Sequence, residues 1–490
     1  MPAPRSLAAP PLALPGARAI TPAQAATTLG ASAAAGLALV AAPEWWVAFG
    51  VLGVAALTAF GLLRPAMFLG VFLLVRPLLD EFSQTTVGVE SANLAGALAA
   101  LLAAITVVVL VARRRPVVPP ATGPLMGITV VSLLAAAQAA SSVPSIGLRP
   151  ASELIRLIAL VAVFLLAANT TPRESRARTL FVIVGVSAIV PALWGIWELG
   201  FGAPVKEGTE IGRISGTFTG PVPFGAFLSF TALVMIFGPV EKVPSWIRWP
   251  ALVAMLIALT ATYSRVGWVL FVLGLVILGW RDRKALVAGF VMVLVVLGAA
   301  IPSVRERALP SEEGTSTAAG YESYDWRLGN WEGLLGKWRE RPLLGNGLES
   351  TTFVNPRAPL EGVGKPGGGF ESHNLLVRIL VEGGLALLVA YLIFLVSIMR
   401  RLRRLSRERW ELRDGARLLY VIWGLSFFTG LTTDDPFQLT ALMVTLLGLT
   451  GAVEGAHRGR ARVAAADIEE EVGRTRRSVR PAGPFPVGAG

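Results

Sequence analysis

Long apolar blocks recur along the whole chain, and each has about the length that crosses a lipid bilayer as a helix. Examples are "LAGALAALLAAITVVVLVA" at 94–112 and "ALVAGFVMVLVVLGAAIP" at 285–302. A bilayer core needs about 20 apolar residues in a helix, and a helix satisfies its own backbone hydrogen bonds inside lipid. Only 16% of the residues are charged, whereas soluble domains carry about 25%. The sequence therefore predicts an all-α, polytopic helical membrane protein.

About fourteen hydrophobic segments are distinguishable, which predicts about 12–14 transmembrane helices. They lie near 25–41, 46–63, 66–79, 94–112, 124–142, 154–170, 178–200, 224–240, 249–264, 266–280, 285–302, 376–399, 417–432 and 438–455. Residues 1–24 are rich in Pro and Ala and lack the continuous apolar core of a signal peptide, so we expect a flexible cytoplasmic tail. The predicted division is this tail, transmembrane helices over 25–302, a periplasmic loop over 303–372, transmembrane helices over 373–455 and a basic cytoplasmic tail over 456–490.

The arginines and lysines between these segments predict the orientation. Basic runs occur at 113–116, 171–178, 281–284 and 400–417 and after residue 456. With the segments above they all fall on one side, which the positive-inside rule assigns to the cytoplasm. The net charge of +12 is then mainly a topology signal, with membrane lipids as partners through their headgroups. Nucleic acid is not an expected partner.

The one long loop, 303–372, contains an amphipathic pattern. Trp331, Leu334, Leu335 and Trp338 follow the i, i+3, i+4, i+7 spacing of one helical face, and Pro342 ends the pattern. Such a helix either lies along the membrane interface or packs on the bundle and covers its mouth.

Arginines gather in the segments predicted to face outward. They are Arg76, Arg149, Arg156, Arg213, Arg265, Arg327 and Arg378. Charges at membrane helices are costly and mark functional sites, and guanidinium groups bind phosphate through paired hydrogen bonds. An outward pocket lined by arginine suits a lipid diphosphate. Alternatively, each arginine snorkels to the interface or pairs with a carboxylate, as Arg156 could with Glu153 and Arg378 with Glu382.

His373 is one of only two histidines in the chain and lies on the predicted outward side, after three glycines and before an apolar helix. Imidazole can transfer a proton near neutral pH, which makes His373 a candidate base, although a structural role is the alternative. Asp80 with Glu81 and Asp434 with Asp435 are better explained as turn residues than as metal ligands. The sequence has no cysteine, so disulfides and thiolate metal sites are excluded. We expect no metal and no cofactor.

Four motifs in order resemble the O-antigen ligase and O-antigen polymerase superfamily of bacterial membrane glycosyltransferases. They are "GRISGTFTGPVPFGAFL", "TYSRVGW", "RLGNWEGLLGKWRERPLLGNGLES" and "ESHNLLVRILVEGGLALL". The resemblance covers roughly 65–455 and is concentrated in 211–385. In two places the chain departs from the family pattern: Leu387 replaces the second glycine of a Gly-x-x-Gly after His373–Asn374, and Glu198 stands near where glutamine is common.

The resemblance implies a GT-C-like fold and metal-independent, inverting transfer of a glycan from undecaprenyl diphosphate. Arg213 and Arg265 would hold the diphosphate, with Arg327 in or near the same pocket. His373 would activate or orient the acceptor hydroxyl. The remaining predicted substrate-binding residues are Arg76, Arg156, Arg378 and Asn374.

Several functions remain open from the sequence. The first is ligation of the glycan to lipid A-core at the periplasmic face of the bacterial inner membrane. Polymerisation of lipid-linked repeat units, with a growing glycan as acceptor, is the second, and transfer to a protein hydroxyl is the third. From another class, a lipid-linked sugar transporter or flippase would also need a basic cavity, but it would often show two similar halves. A structural membrane partner would leave the arginines unexplained.

Overall fold

The computed structural model describes residues 45–80, 94–113, 116–202, 213–280, 284, 324–356, 371–431 and 440–478, and within these ranges the regular elements are helices. Four helical stretches are long and apolar enough to cross a membrane, and several shorter apolar helices accompany them. The predicted all-α polytopic membrane fold is therefore confirmed. The predicted segments 25–41 and 285–302 and most of the loop 303–372 lie outside the described residues.

The described ranges contain fifteen α-helices. They are α1 Trp45–Leu63, α2 Pro65–Val75, α3 Leu94–Ala112, α4 Thr122–Ser142, α5 Arg149–Thr170, α6 Glu174–Ser187, α7 Ile189–Phe201, α8 Pro221–Phe237, α9 Ser245–Ala261, α10 Arg265–Gly279, α11 Tyr324–Glu340, α12 Thr351–Val354, α13 Leu375–Leu405, α14 Arg413–Gly430 and α15 Thr440–Ser478. Short 3₁₀ turns follow α2 at Arg76–Leu79 and α4 at Pro144–Ile146.

Two apolar segments differ from their predicted form. The segment 178–200 is two helices, α6 and α7, divided at Ala188, because Pro191 lacks the N–H that would continue α6. The segment 438–455 continues without a break to Ser478, so the first part of the predicted basic tail extends α15. Residues 460–471 of this extension are exposed.

Helix α15 packs closely along α5 in the centre of the bundle. Gly451, Gly455 and Gly459 recur every four residues on α15, and each would place a Cβ atom against the backbone of α5 or of Pro172 just beyond it. Glycine is needed at these positions because any side chain would push the two helices apart.

Helix α13 is interrupted at Gly384, and the loop formed by residues 342–350 supplies hydrogen-bond partners for the backbone groups at the interruption. Gly384 has φ 63° and ψ −161°, a conformation that is essentially restricted to glycine. The freed carbonyls of Val381 and Glu382 accept hydrogen bonds from the N–H groups of Asn346 and Gly347, at 2.7 and 3.0 Å. The loop thus supplies the partners that a continuous helix would have provided.

The amphipathic pattern of the long loop forms helix α11, which ends at Glu340 before Pro342, as predicted. Its apolar face packs on the bundle, because Leu334 is fully buried against Val377 and Val381 of α13, with Trp331 and Trp338 beside it. Of the two alternatives for this helix, the structure supports packing on the bundle.

Candidate functional site

The turn between α9 and α10 brings Arg213 and Arg265 together. Arg213 donates from Nε to the carbonyl oxygen of Thr262 at 3.1 Å, and the next residue binds the backbone of Ala261. Arg265 is the first residue of α10, and Ser264 caps that helix by accepting from the N–H of Gly267. Arg213 and Arg265 therefore both lie at the N-terminal end of a fifteen-residue helix, whose positive dipole end favours an anion.

The backbone that carries Arg213 is fixed by a carboxylate. Glu198 on α7 accepts hydrogen bonds at Oε2 from the N–H groups of Ser215 and Gly216, at 3.0 and 2.9 Å. The side chain of Thr217 donates to the carbonyl of Pro77 at 2.8 Å. These bonds hold the Arg213 turn against α7 and against the 3₁₀ turn that begins at Arg76.

Arg76 and Arg156 are neighbours, and each has its own carboxylate. The Arg76 guanidinium is buried and lies 3.0 Å from Asp80, while Arg156 lies 2.7 Å from Glu153. The positive charge of Arg156 also repels that of Arg76, so the two guanidinium groups lie within electrostatic range of each other. The ion pair predicted between Arg156 and Glu153 is confirmed. Arg76 and Arg156 therefore both make ion pairs within the fold.

His373 lies in a short segment that is held on both sides. The side chains of Trp331 and Asn330 on α11 donate to the carbonyls of Ser372 at 2.7 Å and Glu371 at 3.0 Å. Asn374, which follows, begins α13. Between these fixed points His373 has φ 48°, which is uncommon for a residue other than glycine and is found at sites where the surrounding structure enforces it.

Arg327 lies on the same face of α11 as the residues that hold this segment. It precedes Asn330 by three residues and Trp331 by four, so the three side chains share one helical face. Helix α11 therefore carries Arg327 to the neighbourhood of His373.

Arg378 and Asn374 make contacts that stabilise the fold. The Arg378 guanidinium is buried between Glu349, at 2.6 Å, and Glu382, at 3.1 Å, and Glu382 also accepts from the hydroxyl of Thr351 at 2.8 Å. The predicted pair with Glu382 is confirmed, and Glu349 is a further partner.

Asn374 accepts at Oδ1 from the N–H groups of Leu376 and Val377 and donates from Nδ2 to the carbonyl of Leu431. It is the N-cap of α13, which is a preferred role for asparagine, and it ties the start of α13 to the end of α14.

The Arg213–Arg265 turn and the His373 segment lie at one end of the bundle, although they come from different parts of the chain. At the opposite end, Gly415 near the start of α14 packs against Pro239, which follows α8. Helices α8 and α14, which contact each other, are therefore antiparallel. The end of α14, bound to Asn374, consequently shares an end with the start of α8 and with the turn that holds Arg265.

This end of the bundle offers cationic groups, one imidazole and the positive end of a helix. Within the described ranges no group of three His, Cys, Asp or Glu side chains could hold a metal ion. Asp434 and Asp435 lie outside those ranges. Guanidinium groups such as those of Arg213 and Arg265 can match the charge of a phosphate.

Several positioning side chains were not predicted from the sequence as site residues. Glu198, Thr217, Asn330 and Trp331 fix the two segments that carry Arg213 and His373. The place of Trp331 on the apolar face of α11 was visible in the sequence, but the partners of Trp331 and Asn330 each lie 41 residues away.

Comparison with known proteins gives one family. Residues 250–428 match the family model described as O-antigen ligase. The matched segment runs from α9 through α14 and contains Arg265, Arg327 and His373, whereas Arg213 precedes it. A search of curated proteins finds no match to the chain.

Proposed function

We propose that this chain, whose residues 250–428 match the O-antigen ligase family model, transfers a polysaccharide from undecaprenyl diphosphate to lipid A-core at the periplasmic face of the inner membrane. The reaction is metal-independent and inverts the configuration at the anomeric carbon. The observation that carries the proposal is the hydrogen bond from Arg213 to the turn that leads into Arg265, at the same end of the bundle as His373.

The arginine pair suits the leaving group of this reaction. A diphosphate leaves readily once its negative charge is matched, and fixed guanidinium groups and a helix N-terminus supply that charge without a proton. Arg213 and Arg265 bind the diphosphate, and Arg327 contributes from α11. Arg76 and Arg156 add positive charge on the other side of the Arg213 turn, although each already has a carboxylate partner.

His373 acts as the base that activates the acceptor hydroxyl. The acceptor hydroxyl oxygen attacks the anomeric carbon while the bond from that carbon to the diphosphate oxygen breaks, and the hydroxyl proton passes to the imidazole. The released undecaprenyl diphosphate keeps the electron pair of the broken bond. This role needs an imidazole of fixed orientation, which agrees with the hydrogen bonds that hold the residues on both sides of His373.

The sidedness follows from the basic runs. The end that carries Arg178, Arg401 and Arg460 is rich in arginine, and the positive-inside rule places it in the cytoplasm. The site end is then periplasmic, residues 303–372 form the periplasmic loop, and both chain ends are cytoplasmic. The GT-C-like architecture remains part of this proposal.

The experiment supplies the purified full-length protein in liposomes with an undecaprenyl diphosphate-linked glycan and lipid A-core, with and without a chelator. A single large adduct on lipid A-core that is insensitive to chelator supports the proposed ligase. A ladder of longer lipid-linked chains without an adduct makes the protein a polymerase. Movement of intact donor across the liposome membrane, with neither product, makes it a transporter and contradicts the proposal.

The variants connect the activity to the site. Arg265→Gln and His373→Ala should each reduce adduct formation at least about 100-fold, since each removes a group that acts on the transition state. Arg407→Gln removes an exposed arginine at the opposite end and should leave the rate unchanged. Equal activity of all three variants would contradict the assignment of this site.

A further inference from the structure

A second cluster of arginines lies at the opposite, cytoplasmic end of the bundle, where the proposed reaction has no use for it. Arg113 follows the end of α3, Arg176 is in the first turn of α6, and Arg462 is in the extension of α15. The charges of Arg176 and Arg462 both act on Arg113. Three segments distant in sequence thus bring these arginines within electrostatic range of Arg113.

The backbone around this cluster is held in place by specific contacts. Asn169, at the end of α5, is buried and bonds twice to Val117, accepting from its N–H at 2.7 Å and donating to its carbonyl at 2.8 Å. On the other side, Gly459 of α15 packs against the carbonyl of Pro172. The connection from α5 to α6 therefore lies between the segment after α3 and helix α15, and Arg176 donates to the carbonyl of Thr170 at its start.

The cluster lacks internal neutralisation. In the part of the chain that the structure describes, no carboxylate forms an ion pair with Arg113, Arg176 or Arg462. Within the same residues, the guanidinium of Arg176 donates a hydrogen bond to the carbonyl of Thr170. Arg113 is partly buried, and burial, followed by the charges of Arg462 and Arg176, lowers the pKa of its guanidinium. Like charges that converge at a partly desolvated place repel each other, and an anion would relieve that repulsion.

We propose that Arg113, Arg176 and Arg462 form a binding site for the phosphate of an anionic lipid in the cytoplasmic leaflet. The cluster begins one residue after the apolar helix α3, at the depth of lipid headgroups, and arginines just cytoplasmic of membrane helices attract anionic lipids. Arginine also binds phosphate oxygens in pairs. A lipid held there would fasten the extension of α15 to the ends of α3 and α6.

The test compares lipids on the purified full-length protein. Native mass spectrometry counts bound phosphatidylglycerol and phosphatidylcholine, and thermal unfolding by tryptophan fluorescence follows stabilisation by each. A third arm adds inorganic phosphate in place of lipid. The variants are Arg113→Gln with Arg462→Gln, Arg176→Gln alone in case the double variant does not fold, and Arg407→Gln, a control whose charge change equals that of Arg176→Gln.

We expect one retained phosphatidylglycerol, a rise in Tm with that lipid and none with phosphatidylcholine, and binding weakened about fivefold for each arginine removed. Arg407→Gln should bind as the wild type does. Equal retention of both lipids, or unchanged binding in the cluster variants, would overturn the proposal. An equal rise in Tm with inorganic phosphate would assign the cluster to a soluble anion and would also overturn it.

Discussion

Replacing Gly384 with alanine should separate the loop 342–350 from helix α13. The loop and the broken helix are joined by four backbone hydrogen bonds: two from Asn346 and Gly347 to the helix, and two from Leu385 and Ala386 back to the loop. A Cβ atom at position 384 would collide with the backbone carbonyl of Leu343 in the loop. The φ of 63° at Gly384 is also unfavourable for any residue with a side chain.

The expected cost follows from these contacts. Holding a residue other than glycine in this conformation costs about 1–3 kcal/mol. Relieving the collision moves the loop away from Leu385 and Ala386, whose two hydrogen bonds at 2.9 and 3.1 Å contribute about 1 kcal/mol each. We therefore expect Gly384→Ala to lower the free energy of unfolding by about 3–5 kcal/mol.

Thermal unfolding in detergent, followed by intrinsic tryptophan fluorescence, measures the effect. Trp331 and Trp338 report directly on α11, which packs on α13 beside the break. A loss of this size should lower Tm by at least about 3 °C. Gly336→Ala is the matched control, because its Cβ would enter open space on α11 and alanine favours a helix by about 1 kcal/mol. Equal Tm values for the two variants would refute the role given to Gly384.

Further substitutions test the positioning contacts and the orientation. Glu198→Gln should retain most of the transfer activity, because the amide oxygen of glutamine can still accept from the backbone of the Arg213 turn. Glu198→Ala should lose far more activity. Comparable losses in the two variants would contradict the role of Glu198 in positioning that turn. Trp331→Phe removes the N–H that donates to the carbonyl of Ser372 and should lower kcat about fivefold, equivalent to about 1 kcal/mol. KM for the lipid-linked glycan should be unchanged. A change confined to KM would argue that Trp331 contacts the substrate instead. The chain has no cysteine, so Arg339→Cys should react with an impermeant maleimide from the periplasm and Arg407→Cys from the cytoplasm, and the reverse pattern would invert the proposed topology.

The helices were largely predictable because bilayer thickness and hydropathy fix their length. The segment predicted at 94–112 has these bounds as α3, and 266–280 differs from α10 by one residue at each end. The division at Ala188 was missed because hydropathy does not change there, although Pro191 is visible in the sequence. The break in α13 was missed because two glycines do not reveal which loop will supply the missing hydrogen bonds.

The candidate site was predictable in its residue types and less so in its contacts. Ion pairs within one helical turn, such as Arg156 with Glu153, follow from spacing alone. The second partner of Arg378, Glu349, lies 29 residues away and could be found only from the tertiary structure. Asn374 was assigned to substrate binding, but an asparagine immediately before an apolar helix is also a typical N-cap, and that is the contact the structure shows.

The central claim is that one end of the bundle binds a diphosphate through Arg213 and Arg265 and activates the acceptor through His373. The most direct measurement determines donor affinity and transfer rate separately for two variants of the full-length protein. Arg265→Gln should weaken binding of the undecaprenyl diphosphate-linked glycan at least tenfold. His373→Ala should bind the donor as tightly as the wild type does and should lose transfer by at least about 100-fold. Normal transfer by His373→Ala, or donor binding that is unaffected by loss of Arg265, would contradict the account.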